Sequence, residues 1–443
     1  MDDFSPSSWR TNDSTGSSQP PYDQEPQIGP NADKLDTAGL RAGGGRLECN
    51  VSDPQKENDG TKDAFVSYLV TTDTDFPTFQ KHHVGVRRRF TDFVFLYKSL
   101  HQEHANCAVP PLPDKQRMEY VRGDRFGYDF TNRRAASLNR FLKRLTLHPV
   151  LRKTPLLTVF LESPDWNAHM RSRSTRLSNA SDNGVFDGLT DTFLNAFSKV
   201  HKPDRRFIEV RERADKLTED LTHVSGIFAR VVRREGDLEL DYADLATQFH
   251  KIEDLEPNLR AYIKIFSTAV EETAGGMRDL KEHSEQHYLT SLKDMDAYIA
   301  SLKQLLKLRE QKQLDYEALT DYLAKAAYDR DQLASQPPHS TGMGASGFFR
   351  SKVEDMRGVD HEQSRRERIR KLELRIDELT REAEDARKQT EAFDESVVRE
   401  IDDFERIKTI EFKDTLGDLA MANIDFYRSQ IAVWEKMLRD SEG

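Results

Sequence analysis

Between Arg46 and Phe90, short runs of β-branched and aromatic residues, "RLECNVSD", "AFVSYLVTTD" and "HHVGVRRRF", alternate with turn-forming residues. That spacing predicts three antiparallel strands in a meander, since a half-buried strand repeats every two residues. "TDFVFLYKSLHQEH" then changes to helical spacing, with Thr91 as its N-cap. "VPPLPDK" must run extended, because each proline fixes its own φ and restricts its predecessor. After a polar and aromatic loop, "QRMEYVRGDRFGYDF", a helix is predicted from near Arg133, with Leu138, Phe141, Leu142 and Leu145 on one face. "HPVLRKTPLLTVFLESP" supplies closing helical turns. These elements predict a small α+β domain over residues 46–164.

Residues 165–184 read as a linker by composition, and Pro203 ends a helical apolar stripe from Phe186 to Val200 that predicts an amphipathic joining helix over 185–202. From there the period becomes seven. Leu217, Val224, Val231, Leu238, Leu245 and Ile252 are all aliphatic, and the companion series Leu221, Phe228, Glu235, Tyr242 and Phe249 is apolar except at Glu235. Such a run predicts a coiled-coil helix ending at Pro257. A second helix is predicted from about Leu259 to Leu333, through Tyr288, Leu292, Met295, Ile299, Leu302 and Leu306, and a third from about Asp360 to Leu438. Each of the last two would be roughly 110 Å long at the α-helical rise. With one apolar seam apiece, the three must pack together, over 203–443, and against a second copy or a homologue. A flexible insertion is expected over 335–359.

Composition agrees with solvated helices more than with a large enzyme: 32% of the 443 residues are charged and 36% hydrophobic. The Ser/Pro/Gly-rich stretch 1–45 lacks the apolar surface to fold, so a disordered tail is expected there. No apolar run is long enough to span a bilayer, and "MDDFSPSSWR" lacks the basic and apolar regions of a secretory signal. Two cysteines, Cys49 and Cys107, make no disulfide framework and favour a reducing compartment.

The net charge of −11 conceals a change of sign. Residues 1–45 carry −4, 46–163 carry +5, and the remainder −12. An anionic ligand therefore belongs to the middle segment. Two motifs elsewhere are decoys. "GMGASG" (342–347) matches a nucleotide-binding string but follows "SQPPHST" where a strand is required. "HSEQH" (His283, His287) has the spacing of a helical zinc pair but shows no third ligand, and a solvated coil face explains it. No nucleophile elbow or cysteine–histidine signature occurs, so no enzyme is expected, and no cofactor or metal.

The basic segment holds "VGVRRRFTDF". On a strand Arg87 and Arg89 share one face and Arg88 takes the other. Guanidinium forks beside an aromatic ring suit a phosphorylated ring: Arg89 offers bidentate contacts, Phe90 a flat apolar face, and Thr91 a hydroxyl beside the amides of a helix N-terminus. Lys115 follows the rigid "PPLP", and Arg133 and Arg134 stand near a helix start.

In order, "RRFTDF", "PPLPDK" and "RAASLNRFL" resemble the motifs of a PX (phox homology) domain. The resemblance implies phosphatidylinositol 3-phosphate as ligand. It places Arg89 and Thr91 on the 3-phosphate, Phe90 against the inositol ring, Lys115 on the 1-phosphate and Arg134 on the 4- and 5-hydroxyls. Many relatives have Tyr in place of Phe90, which leaves stacking intact. Met118, Tyr120 and Val121 match the family's membrane-inserting loop.

With three heptad helices following, the chain resembles a PX-BAR sorting nexin: an α+β PX domain, then an all-α three-helix BAR coiled coil. That implies a dimer, with itself or another PX-BAR sorting nexin, on curved endosomal membrane, with endosome-to-Golgi retrieval of SNARE cargo and a role in selective autophagy. No nucleic acid is implied. The acidic BAR segment opposes a lipid-facing role, although "RVVRRE", "KQLLKLREQK" and "RRERIRKLELR" are basic. Both readings of those clusters stand: a face turned to lipid, or a solvated helix laced with i, i+4 ion pairs. A PX-targeted scaffold that recruits proteins without shaping membrane is the alternative.

Overall fold

The computed structural model describes residues 45–113, 126–181, 203–335 and 361–442. The expected joining helix, the tail up to residue 44 and all of the 335–359 insertion except Ser335 lie outside the described residues, as does "GMGASG".

Three strands form the expected antiparallel meander: β1 (Leu47–Glu57), β2 (Phe65–Thr74) and β3 (His83–Arg89). Val51, Val70 and Val86 pair in one row across the sheet. The β1–β2 register slips between Ser52 and Gln55, where Asp53 adopts φ 48°. Asp tolerates this left-handed backbone, and the bulge turns the strand edge toward Arg87.

Helix α1 (Phe90–Glu103) follows β3 without a break. Its N-cap is Arg89, so Thr91 stands one residue inside the first turn and does not cap the helix. The cap is made from the other direction: Asp92, at N3, accepts the Arg89 amide proton at 2.9 Å. Helix α2 spans Tyr128–Leu147, starting five residues before Arg133. A 3-10 turn (Leu151–Lys153) and α3 (Pro155–Glu162) complete the domain.

Helix α4 (Trp166–Ser181) occupies most of the stretch expected to be a linker. Trp166 is buried, its ring edge-on to Phe160 at 5.1 Å, so the PX core extends past residue 164. That core joins Phe93 and Leu96 of α1, the predicted Leu138, Phe141, Leu142 and Leu145 of α2, and Phe160 of α3 over the sheet.

The rest is helical: α5 (Arg205–Leu255), α6 (Arg260–His283), a π-helical segment (Ser284–Leu289), α7 (Thr290–Ser335) and α8 (His361–Glu442). Asp204 caps α5 through the Arg206 amide at 2.9 Å. The predicted stripe Leu292, Met295, Ile299, Leu302 and Leu306 is buried against Val397, Phe404 and Ile407 of α8. On α5 the two heptad series part company. Leu221 is buried and Phe228, Tyr242 and Phe249 half-buried, whereas Val224, Val231, Leu238, Leu245 and Ile252 are each 39–44% exposed.

Helix α2 is shared between the domains. Arg140 binds Asp294 at 2.7 Å, and Arg144 forms a two-point bond with Glu411, both at 2.7 Å, while donating to the Asp294 carbonyl at 2.9 Å. Arg406 reaches back to the Leu147 carbonyl at 2.8 Å.

Candidate functional site

The three consecutive arginines have three different fates. Arg88 points into the core, 3% exposed, and donates to the Phe160 carbonyl through Nε and Nη2 (2.9 and 2.7 Å) and to the Ser163 carbonyl (2.5 Å). Burial pulls its pKa down to about 10, so it stays charged at neutral pH. Arg87 is spent on the β1 bulge, donating to the Asp53 carboxylate at 2.9 Å and the Asp53 carbonyl at 2.7 Å. Arg89 alone of the three is exposed. Among the described residues, its guanidinium is held only by a 3.3 Å contact from Nε to Asp92 Oδ1 and by the Phe65 ring, whose centroid lies 5.8 Å away. The strand alternation deduced from sequence separates Arg88 from its neighbours as found.

Asp92 is itself buried, and desolvation raises its pKa against the opposing pull of Arg89. A carboxyl held this way orients Arg89 while keeping its charge below the rim of the site. Thr91 is exposed in the first turn of α1, where helix amides lack intrahelical partners.

Phe90 is half-buried against the PX core. The Arg134 guanidinium lies 4.5 Å from its ring centroid and 4.2 Å from that of Phe130. Cation–π contact with both rings thus brings α2 onto the β3–α1 junction. Arg89, Phe90, Thr91 and Arg134 therefore form one cluster at the strand-to-helix junction. Leu112 and Pro113, in the extended proline segment, line a groove with Arg134. Lys115, Met118, Tyr120 and Val121 lie outside the described residues.

Sequence reading missed the chemistry at the domain joint. Cys107, His148 and Glu400 are all buried and converge within metal-ligand reach. Their hydrogen bonding opposes metal binding. The Val150 and Leu151 amides both donate to His148 Nδ1, at 3.2 and 3.1 Å, so the neutral ring carries its proton on Nε2 and donates it to Glu400 at 2.9 Å. Glu400 also accepts the Ala108 amide at 3.0 Å. Burial and Glu400 push the Cys107 thiol far above its ordinary pKa, which keeps it protonated. The trio is a latch between PX and BAR.

The solvated coil face expected for His283 and His287 holds in part: His287 is exposed, whereas His283 is half-buried. Their rings stack 4.8 Å apart beside a cavity of about 490 Å³ between α2 and the BAR helices, lined also by Tyr128, Lys143 and Asp418. Burial lowers both pKa values, with mutual repulsion and Arg140 adding to the effect at His287.

A PX domain family profile matches residues 76–164, beginning after β2 although β1 and β2 belong to the same sheet. Sorting nexin-4 of Emericella nidulans is 64% identical over 426 residues, covering 94% of this chain and 87% of that protein. Sorting nexin-4 of Saccharomyces cerevisiae is 38% identical over 403 residues, covering 88% and 93%. The chain belongs to the sorting nexin-4 family. In fold it is similar to a chain from the cryo-EM structure of the SNX-BAR Mvp1 tetramer, with a TM-score of 0.53 and 16% identity over 88% of this chain and 99% of that one. Family and fold are those of membrane-associated sorting nexins, non-enzymatic adaptors with a PX domain and a helical BAR-type region. Among the described residues no helix is long and apolar enough to cross a membrane.

Proposed function

We propose that this sorting nexin binds phosphatidylinositol 3-phosphate through its PX domain and curved membrane through a BAR dimer. It would act in endosome-to-Golgi retrieval of SNARE cargo, and in selective autophagy and cytoplasm-to-vacuole transport. Its places would be the endosome membrane and the preautophagosomal structure. The observation that carries the reading is the fate of the triplet: Arg87 and Arg88 are held by strand and core, and the exposed Arg89 stands at a helix N-terminus beside Phe90, Thr91 and Arg134. In the bound state Arg89 and Thr91 would take the 3-phosphate, Phe90 the ring and Arg134 the 4- and 5-hydroxyls. Lys115 would take the 1-phosphate, and Met118, Tyr120 and Val121 would enter the lipid.

Support for the dimer comes from the exposed aliphatic series on α5 and from Leu416, Ile424 and Ile431 on α8, each 43–59% exposed. Exposed aliphatic series of this kind mark an interaction surface. The partner would be a second copy or another PX-BAR sorting nexin.

Vesicle flotation tests the headgroup site. Wild type should float with phosphatidylcholine vesicles only when they contain phosphatidylinositol 3-phosphate, and Arg89→Ala should abolish this. Equal flotation of wild type and variant would remove the headgroup assignment.

A further inference from the structure

Next to the headgroup cluster, α2 and the start of α7 face one another across a groove of about 430 Å³. That volume lies within the range of small-ligand sites. The PX side contributes Arg133, Arg134 and Ser137, and the BAR side contributes Lys293. Two acids also line it, but Glu285 binds Arg133 at 3.2 Å and Asp294 binds Arg140 at 2.7 Å. Lys293 is exposed, and no ion pair with a described residue engages it. Arg134 belongs to both places: it lines the groove and stacks on Phe90.

We propose that Lys293, on the first BAR-side turn of α7, completes the anion site, so that one inositol-phosphate ligand is held by Arg134 from PX and by Lys293 from BAR. The ligand chemistry is a phosphate ester on an inositol ring, and it rests on the headgroup reading of Arg134 given above. A lysine suits the role because its long stem carries a compact charge that can follow a phosphate without a fixed fork geometry. Lipid affinity then depends on the PX–BAR joint as well as on the PX motifs.

The test uses the full chain with two probes: soluble inositol 1,3-bisphosphate in a calorimetric titration, and phosphatidylcholine vesicles with or without phosphatidylinositol 3-phosphate. Lys293→Ala should weaken both the soluble and the vesicle ligand by about fivefold, the scale of one basic residue beside an anionic headgroup. Lys293→Glu should weaken them further. Lys307→Glu, an exposed lysine on the same helix, should leave the soluble ligand unaffected. Unchanged binding by Lys293→Ala in both formats overturns the proposal. So does a loss confined to vesicles and shared with Lys307→Glu, which would report general membrane charge. If Arg89→Ala loses binding while Lys293→Ala keeps it, the headgroup reading stands and only the BAR contribution falls. If wild type binds neither probe, both fall together.

Discussion

Arg144 of α2 and Glu411 of α8 meet in a two-point ion pair, Nε to Oε2 and Nη2 to Oε1 at 2.7 Å each, with both side chains no more than 8% exposed. The Arg144 guanidinium also lies 4.8 Å from the Tyr298 ring centroid. Removing one partner strands the other charge in a buried joint. We expect Arg144→Ala or Glu411→Ala to cost roughly 3–5 kcal/mol at this contact. Arg144→Met with Glu411→Met should recover much of that, because an apolar pair leaves no charge uncompensated. Hydrogen–deuterium exchange across α2 and the facing turns of α8 would register the difference.

The three arginines should separate cleanly in a stability assay. Arg88→Ala leaves the Phe160 and Ser163 carbonyls without their donor and should cost about 2–4 kcal/mol of PX stability. Arg89→Ala should stay within about 0.5 kcal/mol of wild type, as an exposed substitution does. Chemical denaturation monitored at Trp166, inside the PX core, reads both. An equal loss from the two variants would contradict the separate roles.

Val231 and Leu238 lie 41% and 44% exposed on the outward heptad series of α5. A carboxylate at either place would be buried unpaired in any self-association through that face. Val231→Asp or Leu238→Asp should weaken dimerisation by roughly a hundredfold. Sedimentation velocity across a concentration series measures it, and an unchanged sedimentation coefficient would move the interface elsewhere.

Acid should loosen the domain joint. His283 and His287 have folded pKa values below their ordinary value of 6.5, so the unfolded chain binds protons first as pH falls. The stability they permit is present above about 6.5, declines as pH drops from there toward the folded pKa values, and levels off below them. Melting temperature followed from pH 7.5 to 5 should show this decline, and His283→Gln with His287→Gln should flatten it. Of the charged groups facing the pair, Arg140 of α2 adds to the depression at His287 and Asp418 of α8 works against it.

The elements were legible because their periods are strong. Alternation marked β3, and the Leu292–Leu306 stripe marked the seam of α7 with α8. Local caps were harder to read: a Thr before an apolar run suggested an N-cap, but the Asp92 bond back to the Arg89 amide starts α1 earlier. Helix α2 begins at Tyr128, where "YDFTN" has little apolar period to announce it. The domain joint was not legible at all. Its partners are far apart in the chain, Arg144 and Glu411 by 267 positions and His148 and Glu400 by 252, and no local pattern selects one pairing of charges over another. For the same reason the two heptad series of α5 looked equivalent until their neighbours were known.

The shared helix α2 has a mechanical consequence. A reader on a slack tether can engage its lipid at many angles and leaves the attached domain to search for its own orientation. Here Arg134 packs on Phe90 of the proposed headgroup site within the same rigid rod that carries Arg140 and Arg144 into the BAR helices. One captured lipid would therefore set the pitch and roll of the whole helical span, as a bracket sets a shelf.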